Sequence, residues 1–330
     1  MLQTEVAELM NKNGKVYELA SKSVYKRDMT AEEKDAVSVM DAWSRKIGET
    51  GYDEGHEIAS FLRRSVQEEI YNAPDELLDS MFVRGTIGEF DDYEAVTTPK
   101  NTLIAYEAAK GGNVDRSYID ISVLTPKWRN RQVETDISYI DMRRNGFKSI
   151  ALLTTYATEA CQNYMFADMF GAVDAAIVGG EQKIDVTGSA PTQDAMDKLS
   201  LYLTDRDSNA MVVALTKYCQ AIGRMDGYSE YMSQDMKDDF NRYGLVKFFN
   251  GVRVAGISSA KKMGNGQLLI PDKRIFGIAG TVGTLDMKGE VHVYETEDNN
   301  SEVIHIKVAD FTYGYAITNI DNAAKVTFSA

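Results

Sequence analysis

The sequence predicts an α+β protein, and three observations carry that reading. Residues 1–83 have helical spacing almost throughout, one 30-residue stretch is apolar on two helical faces, and the last third is mostly short β segments. The composition is globular: 330 residues, 44% hydrophobic, 26% charged and only 5 prolines. That excludes collagen-like, low-complexity and disordered classes, and about 150 residues per domain suggests two domains. With 36 basic and 50 acidic residues the net charge is −14. A chain this acidic lacks the basic face that phosphate neutralisation requires. No apolar run of about 18 residues is present, so no membrane helix is expected. The opening MLQTEVAELMNKNGK lacks the basic-then-apolar layout of a leader. Two cysteines, Cys161 and Cys219, argue against a disulfide scaffold and fit a reducing cytoplasm.

Within residues 1–83, Val6, Leu9, Met10, Tyr17, Ala20 and Val24 follow a helical period. Thr30-Ala-Glu-Glu33 has the layout of a capping box, after which Ala36, Met40, Trp43 and Ile47 form a stripe. Ile58, Phe61, Leu62, Val66 and Ile70 form another, and Pro74 opens a short helix in PDELLDSMF. Residues 1–80 hold 17 acids and 10 bases, a net −7 expected on solvated faces.

From Arg84 to about Tyr139 the pattern turns to strand and loop. TIGEFDDYEAVTT and NTLIAYEAA are candidate strands, KGGNVD is a turn signal, and SYIDISVL alternates like a half-buried strand. A long hairpin with its tip at Gly111-Gly112 is therefore expected. Just beyond it lie Lys127, Arg129, Arg131, Arg143, Arg144 and Lys148. With Glu134, Asp136 and Asp141 this stretch is net +3, read as ion pairing to acidic neighbours ahead of a nucleic-acid patch.

Residues 148–178 predict a helix of about 30 residues and roughly 45 Å. Ile150, Leu153, Ala157, Ala160 and Tyr164 form one stripe, while Phe166, Phe170, Val173 and Ile177 form a rotated second. Such a helix must be covered twice, so it is expected to be a central spine ended by Gly179-Gly180. Next come a helix in TQDAMDKLSLYL, a buried strand in AMVVAL and a helix in YSEYMSQDMKDDFNRYG stopped by Gly244. KFFNGVRVAGI and QLLIPDKRIFGIAG read as strands with turns. GEVHVYETEDNNSEVIHIKVAD reads as a hairpin turning at Asn299-Asn300, with Val291, Val293, Ile304, Ile306 and Val308 on one face.

The search for chemistry finds no catalytic, cofactor or metal residues. His56, His292 and His305 are the only histidines, and no CxxC, HExxH or EF-hand spacing occurs. In the expected hairpin, His292 and His305 would be diagonal neighbours on one face, with no third ligand in view. Gly277, Gly280 and Gly283 precede strand-like sequence, so they read as structural turns instead of a phosphate cradle. Gly256-Ile-Ser258-Ser-Ala260 lacks the last glycine and the helix of a nucleophile elbow. Cys161 reads as a small buried hydrophobe. The acidic pairs Asp91-Asp92, Glu68-Glu69 and Asp238-Asp239 are expected by chance at this composition.

The order of segments resembles the major capsid proteins of tailed phages, the Hong Kong 97-type fold that encapsulins share. The resemblance covers residues 84–330. It rests on the hairpin AYEAAKGGNVDRSYIDISVL, the spine GFKSIALLTTYATEACQNYMFADMFGAV, and the run from FNGVRVAGISSAKKMGNGQLLIPDKRIFGIAG to FTYGYAITNIDNAAKVTF. It implies an E-loop region at 84–126, a peripheral domain at 127–184 with 291–330, and an axial domain at 185–290. Residues 1–83 depart from the pattern as a longer helical arm or added domain. The implied function is a structural shell protein, not an enzyme. It would self-assemble as pentamers and hexamers into an icosahedral virion capsid, after synthesis in the host cytoplasm. Packaged DNA would be enclosed without sequence-specific binding, and scaffolding, portal and decoration proteins are further candidate partners; no cofactor or membrane is implied. Both chain ends would be docked. Inter-subunit contact candidates are Lys110, Gly111, Gly112 and Asn113 at the hairpin tip, and Arg129, Arg131, Arg143 and Arg144 in the basic cluster. An encapsulin-like nanocompartment shell and a soluble enzyme with an unrecognised site are the alternatives.

Overall fold

The computed structural model describes residues 16–50, 55–72, 76–91, 96–100, 102–107, 116–225, 232–235, 237, 241, 246–298 and 300–329. Its helices are α1 (Val16–Tyr25), α2 (Ala31–Thr50), α3 (Gly55–Val66), α4 (Glu76–Met81), α5 (Tyr139–Asn145), α6 (Phe147–Ala176), α7 (Gln193–Thr204) and α8 (Thr216–Ile222). The first strands are β1 (Phe82–Ile87), β2 (Val96–Lys100), β3 (Asp120–Leu124), β4 (Lys127–Ser138), β5 (Lys183–Thr187) and β6 (Met211–Leu215). They are followed by β7 (Phe248–Phe249), β8 (Val252–Ile257), β9 (Arg274–Ile278), β10 (Gly283–Lys288), β11 (His292–Asp298), β12 (Val303–Ile317) and β13 (Ala323–Ser329).

The capping box forms as read. The Glu33 N–H donates to Thr30 Oγ1 at 3.3 Å, and the Thr30 N–H donates to Glu33 Oε2 at 2.8 Å. This starts α2, whose Ala36, Met40, Trp43 and Ile47 are all buried. The α3 stripe of Ile58, Phe61, Leu62 and Val66 is buried too, and Ile70 follows in the π-helical turn Gln67–Asn72. Helices α1, α2 and α3 pack against α6, so the described part of residues 1–83 is a layer of the core rather than a free arm.

Helix α6 is the spine, 30 residues long. Gly146 separates it from α5 at φ 58°, a left-handed conformation that favours glycine. An added Cβ there would also strike the Asp41 carboxylate. That carboxylate, on α2, accepts the Phe147 N–H at 3.1 Å and so places a negative charge at the spine's positive end. The spine ends at Ala176, earlier than the glycine pair, with the Ile177 N–H still bonded to Val173 at 3.2 Å. Its second face packs on β4 and β12. Phe147 meets Phe61 edge to face, with ring centroids 5.7 Å apart and planes at 87°.

The strands form two main sheets. A five-stranded sheet has the order β1-β10-β12-β11, with β4 also pairing β12; β1 is parallel to β10 and the other pairings are antiparallel. A six-stranded sheet has the order β5-β13-β9-β6-β8-β7. Every residue of β6 is buried, as its unbroken apolar run requires. Helix α7 lies close over β9: a Cβ at Gly277 would fall 2.7 Å from Leu203 and 2.8 Å from Leu199. The glycine cluster is thus structural, since Gly280 takes φ 80° in the turn and Gly283 opens β10. The spine's far end is tied to this sheet by Asp174. Its carboxylate receives Lys325 Nζ at 2.8 Å and Arg274 Nε at 3.2 Å.

Two expectations need correction. NTLIAYEAA is not a strand over its described residues 102–107; the ladder is instead β2 with β3, five residues each. Side chains take the groups a longer ladder would use: the Thr102 hydroxyl bonds the Tyr118 carbonyl, and the Ile104 N–H donates to Ser117 Oγ at 3.2 Å. The final hairpin pairs Asp298 with Val303, which sets His305 opposite Thr296 and His292 opposite Ala309. The two histidines share a face but lie about 13 Å apart at ~3.3 Å per residue, so they are not diagonal neighbours. The apolar face of that hairpin forms as expected. The helix read in YSEYMSQDMKDDFNRYG and the hairpin tip Lys110–Asn113 lie largely or wholly outside the described residues.

Because Phe61 and Phe147 join the N-terminal layer to the spine, Phe61→Ala is expected to cost about 3–5 kcal/mol of folding free energy. Urea unfolding of the purified subunit measures it. A loss near zero would show that this layer does not share the spine's core.

Candidate assembly interface

The basic cluster divides into cations paired inside the chain and exposed cations with no ion pair among the described residues. Arg131, opposite the buried Phe311 of β12, lies next to the half-buried Asp168 of α6. Arg131 donates to the two Asp168 oxygens at 2.8 and 2.7 Å, and Tyr313 donates to Asp168 Oδ2 at 2.5 Å. The guanidinium also lies 5.2 Å from the Tyr164 ring centroid. Partial burial alone would lower the Arg131 pKa, but hydrogen bonds to Asp168 and Tyr313 outweigh it and raise the net value. Burial, reinforced by the Asp168 bond, pushes the Tyr313 phenol well above its ordinary range. This cluster clamps the five-stranded sheet to the spine. Arg143 pairs with Glu302 at 2.9 Å and its carbonyl accepts from Arg45 at 2.9 Å, also within the chain. Arg129 and Arg144 are exposed and make no ion pair among the described residues.

The hairpin departs from its expectation more sharply. Alternation in SYIDISVL predicts one buried face, yet Ile119, Ile121 and Val123 are 53%, 58% and 63% exposed, and Tyr118 is 74% exposed. Leu103 and Ile104 on the other arm are 54% and 60% exposed. The amphipathic pattern is real, but nothing among the described residues of the same chain covers it. A two-stranded ribbon is marginal alone in water, and clustered exposed apolar side chains mark interaction surfaces.

Among the described residues the cysteines and histidines lie apart from one another. Among the described residues no three His, Cys, Asp or Glu side chains are grouped to hold a metal ion. Burial raises the Cys161 thiol to about 12 and the Cys219 thiol to about 11, so both stay protonated near neutral pH. His305 instead binds Asp136 across the β4–β12 ladder at 2.6 Å, and that bond lifts its pKa above the usual 6.5.

No protein-family model and no curated protein sequence matches this chain. Solved structures do. A structure from Gordonia phage Cozz aligns with TM-score 0.55 at 11% identity, over 76% of this chain and 85% of that one. The asymmetric unit of the bacteriophage PhiM1 mature capsid aligns with TM-score 0.53 at 13% identity, over 74% and 85%. A structure from Microbacterium phage Oxtober96 gives TM-score 0.53 at 11% identity, over 78% and 92%. The fold is therefore the α+β Hong Kong 97-type fold that the order of segments resembled.

Two predictions follow from this geometry. Arg131→Ala should destabilise the isolated subunit by about 1–3 kcal/mol, discounted for partial exposure, because Asp168 loses its counter-ion. Arg129→Ala should leave subunit melting unchanged; equal effects of the two would sink the division. His305 has a raised folded-state pKa, so its pairing stabilises fully below about pH 6.5 and fades as pH rises through the higher folded value. An NMR titration of the His305 ring should show that raised midpoint, and Asp136→Asn should return it to the ordinary value.

Proposed function

We propose that this chain is the major structural subunit of a tailed-phage capsid, self-assembling into an icosahedral shell around packaged DNA in the virion. The observation that carries the reading is the uncovered apolar hairpin on a Hong Kong 97-type fold. A side chain pattern made for burial, with no cover among the described residues of its own chain, implies a neighbouring copy as cover. In this reading residues 84–126 are the E-loop region. The spine and five-stranded sheet are the body of the peripheral domain at 127–184 and 291–330, and the six-stranded sheet is the body of the axial domain at 185–290. Strand β10 sits with the first sheet and β13 with the second.

The shell reading makes the dispersed chemistry intelligible, because a shell protein works through its interfaces and sums many modest contacts. The net charge of −14 suits a wall that must enclose DNA without holding it. Arg129 and Arg144, unpaired by ions within the described chain, are the inter-subunit ion-pair candidates. Lys110–Asn113 form the proposed tip over a neighbour. Pentamers and hexamers are the proposed capsomers, with portal, scaffolding and decoration proteins as partners and the host cytoplasm as the place of synthesis.

Expressed protein is expected to form closed shells or ring-like capsomers visible by electron microscopy. Deleting Lys110–Asn113 should leave subunit melting intact and lower shell yield. Monomers under all salt and scaffold conditions would overturn the proposal. Shells whose purified contents are protein instead of DNA would favour the nanocompartment alternative.

A further inference from the structure

A fixed aromatic knob precedes the β2–β3 ribbon. Residues 88–91 form a tight turn after β1. The Asp91 N–H donates to the Gly88 carbonyl at 3.2 Å, and the Gly88 N–H donates to Asp91 Oδ2 at 3.2 Å. The Gly289 N–H, donating to the Ile87 carbonyl at 2.9 Å, fastens the turn to the end of β10. Phe90 stands in this turn 92% exposed, more than any other large hydrophobic side chain among the described residues. Glu89 and Asp91 flank it. Asp91 makes no ion pair among the described residues, and Glu89 lies 3.8 Å from His292 Nε2.

A hollow follows the ribbon. Between the foot of β3, the start of β4, the end of β12 and the last turns of α6 is an apolar hollow of about 290 Å³. Leu124, Ala172, Ala175, Ala176 and Ile317 wall it, and the three alanines leave space that longer side chains would fill. A dry apolar cavity of about 150 Å³ holds benzene, so the hollow suits a phenyl ring. The charged residue in its walls is Lys127, exposed and without an ion pair among the described residues. Within one chain the knob and the hollow are held apart. The ladders set Ile87 opposite Lys288 and Lys288 opposite Thr312, about 16 Å short of Ile317 at ~3.3 Å per residue. An apolar knob with acidic flanks thus matches an apolar hollow with a basic rim, but only between copies.

We propose that Phe90 of one copy seats in the hollow of the next, with Glu89 and Asp91 facing Lys127. The occupant is a second copy because knob and hollow stand at the two roots of the ribbon whose exposed face a neighbour covers. A ribbon laid over that neighbour carries Phe90 with it. Aromatic side chains are enriched at interface cores, and a knob already held by its turn loses little freedom on binding. The contact uses two different patches of one surface, so it closes into a ring when the rotation permits. The proposal rests on the shell reading above and names one contact that links neighbouring copies.

Cysteine pairing tests it on the full chain, since native Cys161 and Cys219 are buried. A chain carrying both Phe90→Cys and Ala175→Cys should give, on mild oxidation of assembled particles, a ladder of disulfide-linked oligomers. Each single variant should give no ladder. Phe90→Asp should raise the concentration for half-assembly at least roughly tenfold, about 1.4 kcal/mol per contact, with subunit melting unchanged. Ala175→Trp, which fills the hollow from its own side, should impair assembly in the same way. Lys127→Glu should impair assembly, and adding Glu89→Lys should restore it. Particles of normal yield with no ladder and a neutral Phe90→Asp would overturn this contact and leave the shell reading standing. Where the double-cysteine chain does not assemble, the charge exchange decides, and absence of rescue overturns the contact. Wild-type chain that forms no particles would overturn both.

Discussion

A helix 30 residues long with apolar side chains on two faces cannot leave either face in water, and the rest of the fold follows from that constraint. Helices α1 to α3 cover one face, and strands β4 and β12 cover the other. Three carboxylates fix the spine along its length. Asp41 of α2 binds its first turn, Asp168 binds Arg131 and Tyr313 near the middle, and Asp174 binds Arg274 and Lys325 near the end. Each tie reaches a different layer: the N-terminal helices, the five-stranded sheet and the six-stranded sheet. Partly buried charges are tolerated here because each has a partner, and removing one partner leaves the other poorly solvated.

The covered side of this design was readable in the sequence because periodicity reports it directly. The stripes of α2 and α3, the all-buried run in β6 and the capping box at Thr30 appear where spacing and residue type place them. The spine was also legible, though its buried set was not. Thr154, Thr155, Thr158 and Asn163 are buried on it, and a search for apolar stripes passes over them. Close packing of α3 explains at least Thr158, whose hydroxyl meets that of Ser65 at 3.5 Å.

What stayed hidden depends on contacts distant in sequence. A run of bases shows that charge is present, but not that Arg131 meets Asp168, 37 positions away, while Arg129 stays exposed. The spacing of His292 and His305 depends on which residues close the final turn, and a shift of two in that pairing separates diagonal neighbours from strangers. Alternation in SYIDISVL identifies an amphipathic strand, yet the same pattern serves whether the cover comes from this chain or from another. Ile121 and Val123 remain exposed among the described residues, which the alternation alone does not reveal.

Exposed apolar side chains among the described residues include Ile121 and Val123 on the hairpin, Leu201 on α7, Phe248 on β7 and Tyr156 on the spine itself. Folding free energy is concentrated in the spine and its covering layers, and in the proposed shell reading association free energy would come from the exposed groups. The two can be altered separately by substitution. Net charge opposes both, since charges within a chain and between copies at −14 repel, and the repulsion between copies extends only about 10 Å at 0.1 M salt. Apolar contacts must therefore supply the attraction, in steps small enough that a misplaced copy can leave. In the proposed shell reading, many weak contacts working against a screened repulsion would let a lattice correct itself before its contacts accumulate.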